Sequence, residues 1–139
     1  FNTYGPNMNP YDGRVISSFI TRGLQNKSIN VFGNGNQTRS FCYVDDLING
    51  LVKVMDHKYN QPINLGGTNE ISILNLAKLI INKINPELKI IYKKLPEGDP
   101  IKRRPSIKLA EKLLSWHPII KLDNGIDLTI SNFKKTIEN

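Results

Sequence analysis

Ile29-Asn30-Val31-Phe32-Gly33-Asn34-Gly35-Asn36, and then Ser40-Phe41-Cys42-Tyr43-Val44-Asp45-Asp46-Leu47-Ile48, are the stretches whose reading decides the fold. Two runs rich in β-branched and aromatic residues flank a glycine-asparagine turn, so each reads as a short strand joined to the other by a turn or tight loop. Behind the second run, Leu47, Ile48, Leu51, Val52 and Met55 recur at helical spacing, which predicts a helix with one apolar stripe ending near His57. Asp45 or Asp46 is placed to cap that helix. Adjacent on a helix, the two carboxylates diverge and make a poor acid and base pair.

Upstream of this centre, Phe1-Asn2-Thr3-Tyr4 reads as the end of a strand that Gly5-Pro6 turns away, and Val15, Ile16, Phe19, Ile20 and Leu24 predict a helix over about residues 14 to 25. Downstream, Pro62-Ile63-Asn64-Leu65-Gly66-Gly67 reads as a short strand entering a glycine turn. Ser72 caps a helix whose Ile73, Leu76, Ala77, Ile80, Ile81 and Ile84 face inward until Asn85-Pro86 ends it. Lys89-Ile90-Ile91-Tyr92 is a further strand, and residues 93 to 105, with Pro96, Gly98, Pro100 and Pro105, read as a long basic loop. Two helices close the chain, from Ser106 to about Leu114 and from about Asp123 to Ile137, with Trp116-His117-Pro118 a packing corner between them. Strands and helices alternate, so the class is α/β, as a small α+β body with short strands and about five helices. Those strands are too short to make a large parallel sheet alone, which points to a missing amino-terminal part.

A chain of 139 residues with 39% hydrophobic content can enclose one core. No run approaches the roughly 20 apolar residues of a membrane span, and a single cysteine, Cys42, excludes an internal disulfide and reads as a small apolar strand residue. The expectation is a soluble, cytoplasmic segment. A formal charge of +7 attracts polyanions without distinguishing nucleic acid from a nucleotide diphosphate. The cations gather at Lys93, Lys94, Lys102, Arg103, Arg104 and Lys108, while Lys78, Lys83, Lys112, Lys134 and Lys135 read as solvated helix faces.

Four places could carry chemistry: Asn2 and Thr3 at a strand end, Arg14 at a helix start, Arg39 beside the glycine turn, and Arg103 with Arg104 in the basic loop. Carboxyl ends of strands line ligand crevices in α/β folds. Arginines remote in sequence can converge on one phosphate or carboxylate group through planar forks of donors. Taken singly, each arginine is an ordinary surface residue, and an Asn-Thr pair is an ordinary turn. Tyr4, Tyr11 and Tyr43 read as packing residues that could stack on a base or sugar. His57 and His117 are too isolated for a metal site or a catalytic triad, so no metal is expected. Gly33-Asn34-Gly35 has no helix behind it and is not a dinucleotide fingerprint.

Together, Phe1-Asn2-Thr3-Tyr4-Gly5-Pro6, Asp12-Gly13-Arg14-Val15, and the run from Val31 through Arg39 to Leu47 resemble consecutive blocks of the extended short-chain dehydrogenase/reductases that act on nucleotide sugars, the NAD-dependent epimerase/dehydratase family. Asp-Gly-Arg-Val, Asn64-Leu65-Gly66, Gly98 through Pro105, and Trp116-His117-Pro118 narrow the resemblance towards the UDP-glucuronate decarboxylases, also called UDP-xylose synthases. The resemblance implies that residues 1–139 are the carboxy-terminal, substrate-binding region, separated from the amino-terminal Rossmann part that binds NAD. It assigns Asn2, Val31, Phe32, Arg39, Tyr43 and Arg103 to the sugar nucleotide, Thr3 and Arg14 to NAD, and to Arg103 an auxiliary catalytic role as a cation beside the enolate. The implied chemistry converts UDP-glucuronate to UDP-xylose through a 4-keto intermediate, in a parent that is a homodimer. The family departs from this chain at Asn7-Met8-Asn9, often basic, and at Ser106, commonly aspartate.

The family's Tyr-x-x-x-Lys pair is absent, since none of the five tyrosines is followed four places later by lysine. The chain alone is therefore expected to be inactive. Close alternatives are a nucleotide-sugar 4-epimerase or 4,6-dehydratase. A basic nucleic-acid-binding module is the reading from another class, although no recognition helix, aromatic stacking motif or zinc framework supports one.

Overall fold

A computed structural model describes residues 2–96, 98 and 100–137; Phe1 and Asp99, which stand in two of the quoted blocks, lie outside the described residues. Within these bounds the chain forms the five helices that the alternating pattern predicts, together with seven short strands. Helices α1 (Val15–Leu24), α3 (Ile73–Ile84) and α5 (Leu122–Ile137) enclose the main core, where Ile16, Ile20, Leu76, Ile80, Ile126 and Phe133 are all essentially inaccessible to solvent. The i, i+4 spacing of the α1 and α3 pairs and the i, i+7 spacing of the α5 pair put each on one helix face, and burying each such side chain is worth about 1.5–3 kcal/mol. Helix α3 starts as the sequence predicts, with the Ser72 hydroxyl accepting from the Asn75 amide at 3.1 Å. Lys83 is less solvated than its helical position suggests, because its ammonium lies 2.8 Å from Asp127 and 3.1 Å from Asp123, tying α3 to α5. Those carboxylates raise its pKa above the ordinary lysine value.

The strands assemble into three small sheets. Strands β1 (Thr3–Tyr4) and β4 (Cys42–Tyr43) pair in parallel, with Thr3 opposite Cys42. Strand β2 (Ile29–Phe32) pairs in parallel with β6 (Ile90–Lys93). In the third sheet, β3 (Thr38–Ser40) is central, antiparallel to β5 (Glu70–Ser72) and parallel to β7 (Lys102–Arg103).

Several local expectations need correction. The two runs around the glycine turn form β2 and β4 in different sheets, with β3 between them along the chain, and the turn serves α3. The Gly35 and Gln37 carbonyls accept the Leu74 and Ile73 amides, both at 3.0 Å, and so occupy donors that a helix start leaves unpaired. A Cβ at Gly35, whose φ is +75°, would meet Val31 and Leu74 side chains at 2.9 Å, so this position requires glycine. Residues 62–67 run without a ladder, and the strand expected there lies instead at Glu70–Ser72. The basic loop is interrupted by β7. Helix α4 (Lys108–Leu114) begins two residues after Ser106, with Ile107 at the cap position and no side-chain cap.

The largest correction concerns α2 (Val44–Met55). No side chain caps it, and Asp45 and Asp46 lie within its first turn. Asp46 turns inward, and its carboxylate accepts the Ile119 and Ile120 amides at 3.1 and 2.8 Å. The Trp116 indole donates to the Asp46 carbonyl at 3.0 Å, so the expected packing corner is held by a backbone acceptor on α2. This side of α2 joins a smaller core of Cys42, Leu65, Ile107, Ala110, Leu114 and Trp116. Burial pushes the Cys42 thiol up to about 11, in keeping with an inert packing residue. Of the predicted apolar stripe only Leu47 packs against this core, and Ile48, Leu51, Val52 and Met55 face away and are exposed.

Candidate functional site

Strand β3 organises the site. Alternation along a strand sends Thr38 and Ser40 to one face and Arg39 to the other, and directly opposed residues on paired strands share a face. Arg39 is paired with Arg103, so the two guanidinium-bearing residues stand side by side on one face of adjacent strands. They differ in setting: Arg39 is only 8% exposed and donates to the Thr38 carbonyl at 2.8 Å, whereas Arg103 is exposed. Two planar forks of donors on one face suit an anion with several oxygens.

Arg39 also lines a cavity of about 310 Å³, together with Asn2, Phe19, Phe32, Gln37 and Pro96. One wall is therefore aromatic and another carries amides and a guanidinium, the mixture that a polar ligand with a flat ring requires. Phe32, at the end of β2, is half-exposed into this region. Asn2 reaches it from the strand β1 end in a left-handed conformation (φ +46°), and its amide nitrogen donates to the Ser40 carbonyl at 2.8 Å. The Asn2 carbonyl in turn accepts the Cys42 amide at 3.2 Å. These bonds fix the strand end to β3 and β4, so the position of Asn2 follows from the sheet rather than from a flexible loop.

Asn2 is shared with a second cavity of about 210 Å³ lined by Thr3, Tyr4, Met8, Arg14 and Phe41. Thr3 and Arg14, the residues that the resemblance assigns to NAD, thus meet in one place. Arg14 Nε is 3.3 Å from Asp12, and its side chain is largely exposed. A hydroxyl and a guanidinium fit the polar rim of a dinucleotide, but neither is the glycine-rich helix start that cradles a pyrophosphate. The fit is that of a subsidiary contact.

The remaining predicted residues are placed elsewhere. Tyr43 is 4% exposed and stacks edge-on against Tyr4, ring centroids 5.7 Å apart, within the main core. Burial raises both phenols above the ordinary tyrosine value, which removes them as bases near neutrality. Val31 is fully buried in the core rather than at the cavity wall. Tyr11 is exposed, and His57 holds a turn by accepting the Tyr59 amide at 3.0 Å. Among the described residues no group of three His, Cys, Asp or Glu could hold a metal ion, and no helix is long and apolar enough to cross a membrane.

Two residues of this region escape sequence reasoning. Gln37 donates to the Phe32 carbonyl at 2.9 Å and lines the larger cavity; its i, i+2 spacing from Arg39 is the available signal. Glu70 accepts the Thr38 hydroxyl at 2.7 Å and pairs with Lys102 at 3.0 Å and Arg104 at 3.7 Å. The Thr38 hydrogen bond first, then Lys102, hold its carboxyl below the ordinary range. No local signal marks it. With Lys102 and Arg104 paired to Glu70, the basic run is split between two faces of the sheet, and the nucleic-acid-binding reading finds no support.

Comparison with known proteins agrees with the geometry. Residues 1–66 match the NAD dependent epimerase/dehydratase family. The whole chain aligns with UDP-glucuronic acid decarboxylase 1 of Xenopus tropicalis at 42% identity, covering 33% of that protein. UDP-glucuronic acid decarboxylase 4 of Arabidopsis thaliana is 42% identical over 99% of this chain and 31% of its own length. The chain thus spans about a third of the length of the curated relatives it matches. Among solved structures, the UDP-glucose 4-epimerase of Thermotoga maritima with UDP-glucose superposes with a TM-score of 0.92 at 30% identity, over 98% of this chain and 44% of that one. The UDP-glucuronic acid 4-epimerase of Bacillus cereus, in complex with UDP-glucuronic acid and NAD, gives 0.89 at 29% identity, with the same coverage.

Proposed function

We propose, on this kinship with the NAD dependent epimerase/dehydratase family and its UDP-glucuronic acid decarboxylases, that the chain is the substrate-binding carboxy-terminal region of a decarboxylase that converts UDP-glucuronate to UDP-xylose. The observation that carries the reading is the register of Arg39 opposite Arg103 beside the cavity that Asn2 reaches. Two guanidinium groups on one face suit a diphosphate and a sugar carboxylate, which together present more negative charge than one arginine could neutralise.

In this reading Arg39 holds the diphosphate and Phe32 borders the uracil, while Asn2 contacts the sugar. Arg103, the exposed member of the pair, would be the cation that steadies the enolate as carbon dioxide leaves. Val31 and Tyr43 contribute through the strands they build. Thr3 and Arg14 would touch NAD from the second cavity. When bound, NAD supplies the reversible oxidation of the sugar C4 hydroxyl that makes the carboxylate a leaving group.

The remainder of the parent, an amino-terminal Rossmann part, would bring the glycine-rich loop and the Tyr-x-x-x-Lys pair. It would also cover the exposed stripe of α2 and flank the two-stranded β1–β4 sheet. Support comes from the relatives, about three times as long as this chain. A homodimeric parent remains part of the proposal on the resemblance alone.

The test is direct. The full-length protein, given UDP-glucuronate labelled in its carboxylate, should release labelled carbon dioxide and form UDP-xylose, and the 139-residue chain alone should release none. Formation of UDP-galacturonate without carbon dioxide would instead assign a 4-epimerase, the sister activity that the Bacillus cereus likeness favours.

A further inference from the structure

Strand β7 poses a physical problem. It is two residues long, exposed, and sits in a run of three consecutive cations, Lys102, Arg103 and Arg104. Its middle cation, Arg103, lies directly opposite Arg39 on the neighbouring strand. Beside the two-residue ladder, the Thr38 amide donates to the Ile101 carbonyl at 2.9 Å, a short backbone attachment for so exposed a strand.

Glu70 lies on the other face of the same sheet. Its backbone pairs with Ser40, so its side chain shares the face of Thr38, away from Arg39. One carboxylate oxygen takes the Thr38 hydroxyl at 2.7 Å, and the other takes Lys102 at 3.0 Å with Arg104 at 3.7 Å. A single carboxylate thereby links β5, β3 and β7. Because Lys102 and Arg104 flank Arg103, drawing those two towards Glu70 turns Arg103 to the opposite face, beside Arg39.

We propose that Glu70 is a positioning residue for the nucleotide-sugar site: it seats β7 against β3 from the far face and so presents Arg103 next to Arg39. Glu70 itself does not touch the substrate. The proposal deepens the reading given above, since it rests on the two arginines serving one ligand, and its test separates the two.

The first measurement needs no ligand. In the 139-residue chain, Glu70→Gln should speed hydrogen exchange at the Thr38 amide by roughly tenfold or more, while the amide of Ala77 in α3 keeps its protection. Lys102→Met, at an exposed position where folding is not at stake, should act in the same direction to a smaller extent. The second measurement uses UDP as the probe. Glu70→Gln should weaken UDP by roughly tenfold and Arg103→Ala by more, and the double variant should bind no worse than Arg103→Ala alone, since Glu70 acts through that arginine. Unchanged Thr38 exchange in both single variants, or losses of UDP affinity that multiply in the double variant, would overturn the proposal. If the unaltered chain does not bind UDP, the functional reading falls, and Thr38 exchange alone decides whether Glu70 seats β7.

Discussion

Helices α2 and α3 are both 12 residues long, both amphipathic, and nearly indistinguishable in pattern, yet they have opposite fates. The stripe of α3 is sealed into the main core, with Leu76, Ala77 and Ile80 wholly inaccessible. The stripe of α2 is turned outward, with Met55 83% exposed, and the helix buries its narrow side, where Asp46 and Gly50 meet Trp116 and the loop at Ile119–Ile120. Periodicity therefore marks a face that needs a partner, but not whether the partner lies within the same 139 residues.

The contrast can be broken most forcefully in α3. Leu76→Ala should lower stability by about 2–5 kcal/mol, read as a fall in the denaturant midpoint with little change in slope. On α2 the sensitive position is glycine. A Cβ at Gly50 would lie 2.9 Å from the Trp116 ring and 3.0 Å from Leu65, so Gly50→Ala should cost about 1–3 kcal/mol through overpacking, despite improving helix propensity. Next in size is the start of α3, where Ser72→Ala removes a cap and should cost about 1 kcal/mol in thermal or chemical unfolding. Smallest is the exposed stripe: Leu51→Ser should change the stability of this chain by no more than about 0.5 kcal/mol. A loss at Leu51 comparable with that at Leu76 would mean that the stripe is covered in solution. Conversely, in the full-length protein proposed above, the same Leu51→Ser change should become costly, which would show the stripe acquiring its cover.

The site divides along similar lines. Asn2 and Arg39 stand out in the sequence because they adjoin a strand end and a glycine turn, where backbone geometry brings side chains to a cavity, whereas Phe32 is marked by the resemblance alone. Tyr43 and Val31 carry the same aromatic and apolar signals, but alternation along short strands directs them into the core. Glu70 offers no signal at all: a lone acid between Asn69 and Ile71 looks like a solvated strand residue until β7 is laid beside β3.

From the amino-acid order alone came the helices, most of the strands, the cap at Ser72 and the inert character of Cys42, because each depends on interactions within a few residues: hydrogen bonds one turn apart, side-chain alternation, a glycine where φ is positive. The folded arrangement alone decided that the strands around Gly33–Asn36 part company, that α2 shows its apolar side to solvent, and that Arg39 and Arg103 stand in register with Glu70 behind them. Those outcomes depend on pairing between segments remote along the chain, and the repeat of a helix or strand carries no information about its distant partner.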